Sequence, residues 1–133
     1  MIIGVPKEIK NNECRVGLTP DSVGRLSLNH EIYIEKDAGK AIGFTDEMYQ
    51  SKGAKILDCP ADVYSGSDLI VKVKEPLPEE NQFLSAKNIL FTYLHLAGNK
   101  STAKKLIDTG VKGVAYETVT ADDGSLPLLA PMS

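Results

Sequence analysis

The fold class this sequence predicts is α/β: a three-layer domain with a mostly parallel sheet and helices on both faces. Three observations carry it. Apolar runs rich in β-branched residues alternate with helix-like segments. Two of the runs, Leu69-Ile70-Val71 and Ile89-Leu90-Phe91, are apolar continuously rather than alternately, as strands buried on both faces are. The helix-like segments have identifiable ends, so each strand is followed by a plausible crossover to a parallel neighbour.

The first strand covers residues 2–5 and runs into a polar connection, Pro6-Lys7-Glu8-Ile9-Lys10-Asn11-Asn12-Glu13-Cys14-Arg15. Thr19 caps a helix that begins at Pro20, with Leu18 and Val23 spaced as a hydrophobic staple. A second strand is expected at 31–34. Thr45 then repeats the capping device, with Phe44 and Tyr49 as the staple and Gly53 where a C-terminal glycine belongs. Strands follow at 54–57, 69–73, 89–94 and 111–116. Short helical turns are expected after Pro60 and Pro78. A longer helix over 101–109 puts Ala103, Leu106 and Ile107 on one face and stops at Gly110. Around Asp122-Asp123-Gly124 the residues 118–129 read as a hairpin.

Composition narrows the function classes. The 133 residues amount to one domain, with 15 basic against 18 acidic side chains and a net charge of −3. No dense basic stripe is present, which argues against nucleic-acid and anionic-membrane surfaces. No apolar run approaches the roughly 18 residues that a bilayer span requires. Met1-Ile2-Ile3 lacks the basic start and long apolar core of a signal peptide. Cys14 and Cys59 have no metal-type spacing and fit a reducing cytoplasm. No G-x-G-x-x-G and no P-loop occurs, so the chain has no recognisable dinucleotide or phosphate cradle.

The groups that could carry chemistry collect at the predicted carboxyl edge of the sheet, where α/β domains bind ligands. Arg15 lies in the first connection, and a fixed guanidinium suits a carboxylate-bearing substrate. Lys74 follows the strand at 69–73 and precedes Glu75-Pro76, which break it. Its ammonium can serve as a fixed cation for a carboxylate or carbonyl oxygen; a solvated strand-end lysine fits the same sequence. Lys72 reads as structural or surface. His95 ends the next strand and is placed to take and return a proton near neutral pH, or to sit half-buried and satisfied. Glu8, Glu13 and Glu117 are candidate acids, although most such glutamates are solvated or lysine-paired. Cys14, beside Arg15, reads as a reactive thiol or a small packing residue, and Met132 as an apolar wall. Neither His95 nor His30 has metal-ligand spacing, so no metal is expected. Two cations and one proton carrier on one edge suit a small 2-oxo or 2-amino acid.

At these residues the sequence resembles the family of the alanine dehydrogenases and the α subunit of proton-translocating transhydrogenase. The opening Gly4-Val-Pro-Lys-Glu-Ile-Lys-Asn-Asn-Glu-Cys-Arg15-Val-Gly-Leu-Thr-Pro20 resembles the family's signature along its length. Val71-Lys-Val-Lys74-Glu-Pro76, Leu94-His95-Leu96-Ala97, Tyr116-Glu117-Thr118 and Leu129-Ala-Pro-Met132-Ser133 follow in the family's order. The resemblance implies a Rossmann-like substrate domain in which Arg15 and Lys74 hold the carboxylate and oxo group and His95 is the general acid/base. Tyr93 and Met132 would lie near the pocket. The implied reaction is NAD-dependent oxidative deamination of L-alanine to pyruvate and ammonia. The Leu-His-Leu-Ala segment favours the alanine dehydrogenase branch over transhydrogenase.

Family members continue past Ala-Pro-Met-Ser into a Rossmann domain and return with C-terminal helices. The resemblance therefore implies that residues 1–133 are an incomplete N-terminal substrate domain, with NAD bound by the absent part. Two expectations follow: this chain alone does not aminate pyruvate, and apolar surface left uncovered promotes self-association. Hexamers are implied for complete enzymes. A transhydrogenase α-subunit domain and a non-catalytic carboxylate-binding or assembly fragment are the alternatives.

Overall fold

The computed structural model describes residues 1–93 and 100–115. The expected hairpin at 118–129, with His95, Glu117 and Met132, lies outside the described residues. Six strands, β1 (Ile2–Val5), β2 (Glu31–Glu35), β3 (Lys55–Leu57), β4 (Leu69–Val71), β5 (Ile89–Thr92) and β6 (Lys112–Ala115), form one sheet in the order β3-β2-β1-β4-β5-β6. Every ladder is parallel. The mostly parallel sheet expected from the sequence is thus, among these strands, wholly parallel.

The helices are α1 (Pro20–Leu26), α2 (Asp46–Ser51), α3 (Pro60–Gly66), α4 (Pro78–Asn81) and α5 (Lys100–Thr109), with a single 3-10 turn at Lys40–Ile42. Both expected caps form, and Leu18 packs against the core cluster that holds Val23. Thr19 Oγ1 accepts from the Ser22 N–H at 3.2 Å, and Thr45 Oγ1 from the Met48 N–H at 3.3 Å. The Phe44 and Tyr49 rings meet edge to face at 6.4 Å. Gly53 and Gly110 end their helices at φ +105° and +76°, a left-handed turn that L side chains rarely adopt.

Alternation along the strands divides the core in two. Ile3, Val5, Ile32, Ile34 and Val71 pack with Val23 and Tyr49 on one face; Ile70 and Leu90 pack with Tyr64, Leu84 and Leu106 on the other. Gly4 points to the second face, where a Cβ would lie 2.8 Å from Ser67 Cβ, so its absence lets α3 rest directly on β1. Strand β4 is shorter than the expected 69–73. Its ladder ends at Val71, after which the Lys72 N–H still reaches β5, at Phe91 O (3.0 Å). The Val73 and Lys74 N–H groups turn instead to a side chain, Glu8.

Burial leaves a mark that titration can read. The Tyr49 hydroxyl donates to Leu18 O at 2.7 Å, and burial, then the charge of Asp46, pushes its pKa from 10.0 up to about 12. A proton held more tightly in the folded state adds stability that is complete below the unfolded pKa near 10 and is lost as pH rises through about 12. The denaturant midpoint is therefore expected to fall above pH 10, with Tyr49 ionising only as the chain unfolds. Absorbance at 295 nm in Tyr49→Phe and unmodified chains checks this; ionisation of Tyr49 near pH 10 with the fold intact would contradict it.

Candidate functional site at the strand-order reversal

Strand order reverses between β1 and β4, and in open α/β sheets ligands bind at the carboxyl ends of the strands flanking that reversal. Two connections therefore define the site: the one that follows β1 and carries Arg15, and the one that follows β4 and carries Lys74. The first begins at buried Pro6 and turns over residues 10–13, where the Glu13 N–H bonds Lys10 O at 3.0 Å. Asn12 takes φ +65° in this turn, a conformation that asparagine tolerates better than most side chains.

Glu13 then grips Arg15. Its carboxylate accepts from Arg15 Nε at 2.9 Å, from Nη2 at 2.8 Å and from the Arg15 backbone N–H at 3.0 Å. This two-point contact fixes the guanidinium plane. The bonds to Arg15 hold the Glu13 carboxyl below the usual carboxylate range against a smaller, opposing effect of burial, and the charge of Lys74 lowers it further. Glu13 thus feels both expected substrate cations at once. Gly17 brings the same connection down on the sheet: a Cβ there would lie 2.6 Å from Val71 O. Lys10 forms an ion pair with Glu75, which ties the two connections together.

Lys74 is half-buried, with Nζ 5.1 Å from the centroid of the Tyr93 ring. An ammonium over an aromatic face is held without a counter-anion being placed on it. Thr92, at the end of β5, donates its hydroxyl to Lys74 O at 2.9 Å. The structure thus brings together Arg15, Lys74 and Tyr93 from three separate segments, with Glu13 as the orienting acid. His95 and Met132 are outside the described residues, as is Glu117. Cys14 is exposed, so it is not the packing residue that the sequence also allowed.

Sequence reasoning missed the buried network beneath. Lys72 is 2% exposed, with Nζ 3.2 Å from both Glu8 oxygens and 2.9 Å from Glu80 Oε2. Glu80 Oε2 also accepts from the Tyr64 hydroxyl at 3.0 Å, while Glu80 Oε1 caps α4 by accepting from the Leu77 N–H at 3.0 Å. Burial raises the Glu8 carboxyl pKa, against the opposing pull of Lys72 and two backbone N–H groups. Of the sequence's two readings of Lys72, structural or surface, it is the first that holds. The signal was legible: a lysine between Val71 and Val73 in a doubly buried strand requires a buried carboxylate.

An apolar hollow of about 230 Å³ opens elsewhere, among Lys7, Ile9, Glu35, Pro60 and Phe83. It contains neither Arg15 nor Lys74. After β1 the described chain enters a loop carrying Glu8 and Glu13 rather than a glycine-rich turn opening a helix. Among the described residues no group of three or more His, Cys, Asp or Glu could hold a metal ion, and no helix is long and apolar enough to cross a membrane.

The family model of the alanine dehydrogenase/PNT N-terminal domain matches residues 4–133. Alanine dehydrogenases of Methanococcus maripaludis and Bacillus subtilis are each 52% identical over the whole of this chain, which covers 36% and 35% of their lengths. A solved L-alanine dehydrogenase superposes with a TM-score of 0.95 at 46% identity, covering 98% of this chain and 36% of that one. The transhydrogenase of Sinorhizobium meliloti superposes with a TM-score of 0.81 at 27% identity, covering 88% of this chain and 35% of that one. The chain therefore spans about a third of the length of these relatives.

Proposed function

The chain belongs to the alanine dehydrogenase/PNT family, matching its N-terminal domain, and from that premise we propose that it forms the substrate half of an alanine dehydrogenase. The reaction is the NAD-dependent oxidative deamination of L-alanine to pyruvate and ammonia, carried out in the cytoplasm by a homo-oligomer, a hexamer in the complete enzyme. The observation that supports it best is the Arg15 guanidinium held by Glu13 at the β1/β4 reversal, where the connection carrying Lys74 also begins. Identity of 46% to a solved L-alanine dehydrogenase, against 27% to a transhydrogenase, favours this branch of the family.

In this reading the oriented guanidinium of Arg15 binds the substrate carboxylate. The Lys74 ammonium, steadied over Tyr93, polarises the oxo group of pyruvate or holds the carboxylate beside it. His95 exchanges protons at the carbon that gains or loses nitrogen, and Met132 lines the pocket. In this proposal domain 1–133 supplies binding, orientation and proton transfer, and NAD is bound outside it.

The test is a chimera in which this chain replaces the matching N-terminal third of the Bacillus subtilis enzyme. L-Alanine-dependent reduction of NAD is expected. Lys74→Ala is expected to lower turnover about 10²–10³-fold, the usual loss for one electrostatic contact to the reacting oxygen. NAD reduction that does not depend on L-alanine would overturn the substrate, and a Lys74→Ala chimera within twofold of its parent would remove the role of Lys74.

A further inference from the structure

Lys74 stands three residues past the end of the β4 ladder. The β4 ladder ends at Val71, and Pro76 prevents its resumption. The Val73 and Lys74 N–H groups nevertheless both have acceptors, and both are oxygens of one side chain. Glu8 Oε2 accepts from the Val73 N–H at 3.2 Å and Glu8 Oε1 from the Lys74 N–H at 3.1 Å. The carboxylate is buried, and the Lys72 ammonium lies 3.2 Å from each oxygen. On the other side of the same residue, Thr92 Oγ1 donates to Lys74 O at 2.9 Å. The Lys74 backbone is therefore clamped at its N–H and at its C=O by two side chains from different segments.

We propose that Glu8 is a positioning residue for Lys74, its carboxylate holding the Val73 and Lys74 N–H groups so that the ammonium leaves the sheet edge in one direction, over Tyr93 and toward the substrate. This rests on the reading above that Lys74 meets the substrate. The chemistry of the clamp is specific. Only an ionised carboxylate can accept two adjacent N–H groups and a lysine together, with every one of its contacts satisfied. In Glu8→Gln the amide nitrogen must face an N–H or the Lys72 ammonium, so one donor loses its acceptor while the side-chain volume is kept.

The experiment uses the full 133-residue chain, with pyruvate binding followed by amide chemical shifts at constant ionic strength. Four proteins are compared: the unmodified chain, Glu8→Gln, Lys74→Ala and the double variant. Glu8→Gln and Lys74→Ala are each expected to weaken pyruvate binding about tenfold or more, the scale of one hydrogen bond to a charged group, and the double variant no further than Lys74→Ala alone. A purely structural role would not produce that non-additivity. A folded Glu8→Gln chain that binds within twofold of the unmodified one overturns the proposal. So does a Glu8→Gln loss that persists in full when Lys74 is already alanine, since Glu8 would then act through the Arg15 connection. If Lys74→Ala leaves pyruvate binding unchanged, it is the substrate role of Lys74 that fails instead. Should Glu8→Gln not fold, hydrogen exchange in the unmodified chain decides: the Lys74 amide is expected to be protected like those of β4, and exchange at the rate of an open loop overturns the clamp.

Discussion

Replacing Lys72 with alanine is expected to destabilise the chain by about 3–5 kcal/mol, the range for leaving buried charges without their partner. Two carboxylates depend on this one ammonium, Glu8 and Glu80, and all three groups are buried. Such a loss is a large part of the roughly 5–15 kcal/mol that holds a typical domain together, so the variant is expected to be partly unfolded at 37 °C. Neutralising the whole network as Glu8→Gln/Lys72→Met/Glu80→Gln is expected to cost less than Lys72→Ala, because no charge is then stranded. Urea unfolding of both variants makes the comparison. A Lys72→Ala loss below about 1 kcal/mol, within the range of an exposed pair, would show that the carboxylates do not depend on it.

Gly17→Ala is expected to act on the site rather than on the core. The added Cβ would lie 2.6 Å from Val71 O and 3.0 Å from Val71 C, and both are backbone atoms of β4 that cannot rotate aside. The connection must therefore lift from the sheet, and Arg15 is only two residues away. Pyruvate binding is expected to weaken about tenfold or more, as when one charge-assisted contact is lost. Gly24→Ala in α1 is the control, since its Cβ meets only the flexible Lys52 side chain, with Cδ at 3.3 Å. Removing a helix-interior glycine there is expected to stabilise the chain by up to about 1 kcal/mol, with binding unchanged. Equal affinity for pyruvate in the Gly17→Ala and unmodified chains would dissociate the Arg15 connection from the site.

Much of the fold was legible because its signals are local. Pro20 after Thr19, Phe44 with Tyr49, and the glycines at 53 and 110 each specify a helix end within a few residues, and all four ends form as read. The continuous apolar runs at 69–71 and 89–91 identified strands covered on both faces, and they pair directly as β4 and β5. The length of β4 was misread because Val73 looks like any strand valine. Its N–H goes to Glu8, 65 residues away in sequence, and no local pattern reveals that.

Arg15 and Lys74 were legible as cations just after strands, the positions from which α/β domains present side chains to ligands, whereas Tyr93 was implied only by the family resemblance. That the connections carrying Arg15 and Lys74 lie side by side follows from strand order. Only when β4 lies beside β1, reversing the direction of winding, do their two connections open on the same crevice.

The sequence by itself determined the α/β class, the helix ends, the chemistry available at the sheet edge and the family resemblance carried by the residues from Gly4 to Pro20. Those properties depend on neighbours in the chain or on residue identity. Tertiary structure alone decided that Glu13 orients Arg15 while feeling the charge of Lys74, and that Glu8, Lys72 and Glu80 share a buried charge network. The physical reason is that a charge can be buried only where opposite charges and N–H groups from distant segments converge on it, and that convergence exists only once the sheet has assembled.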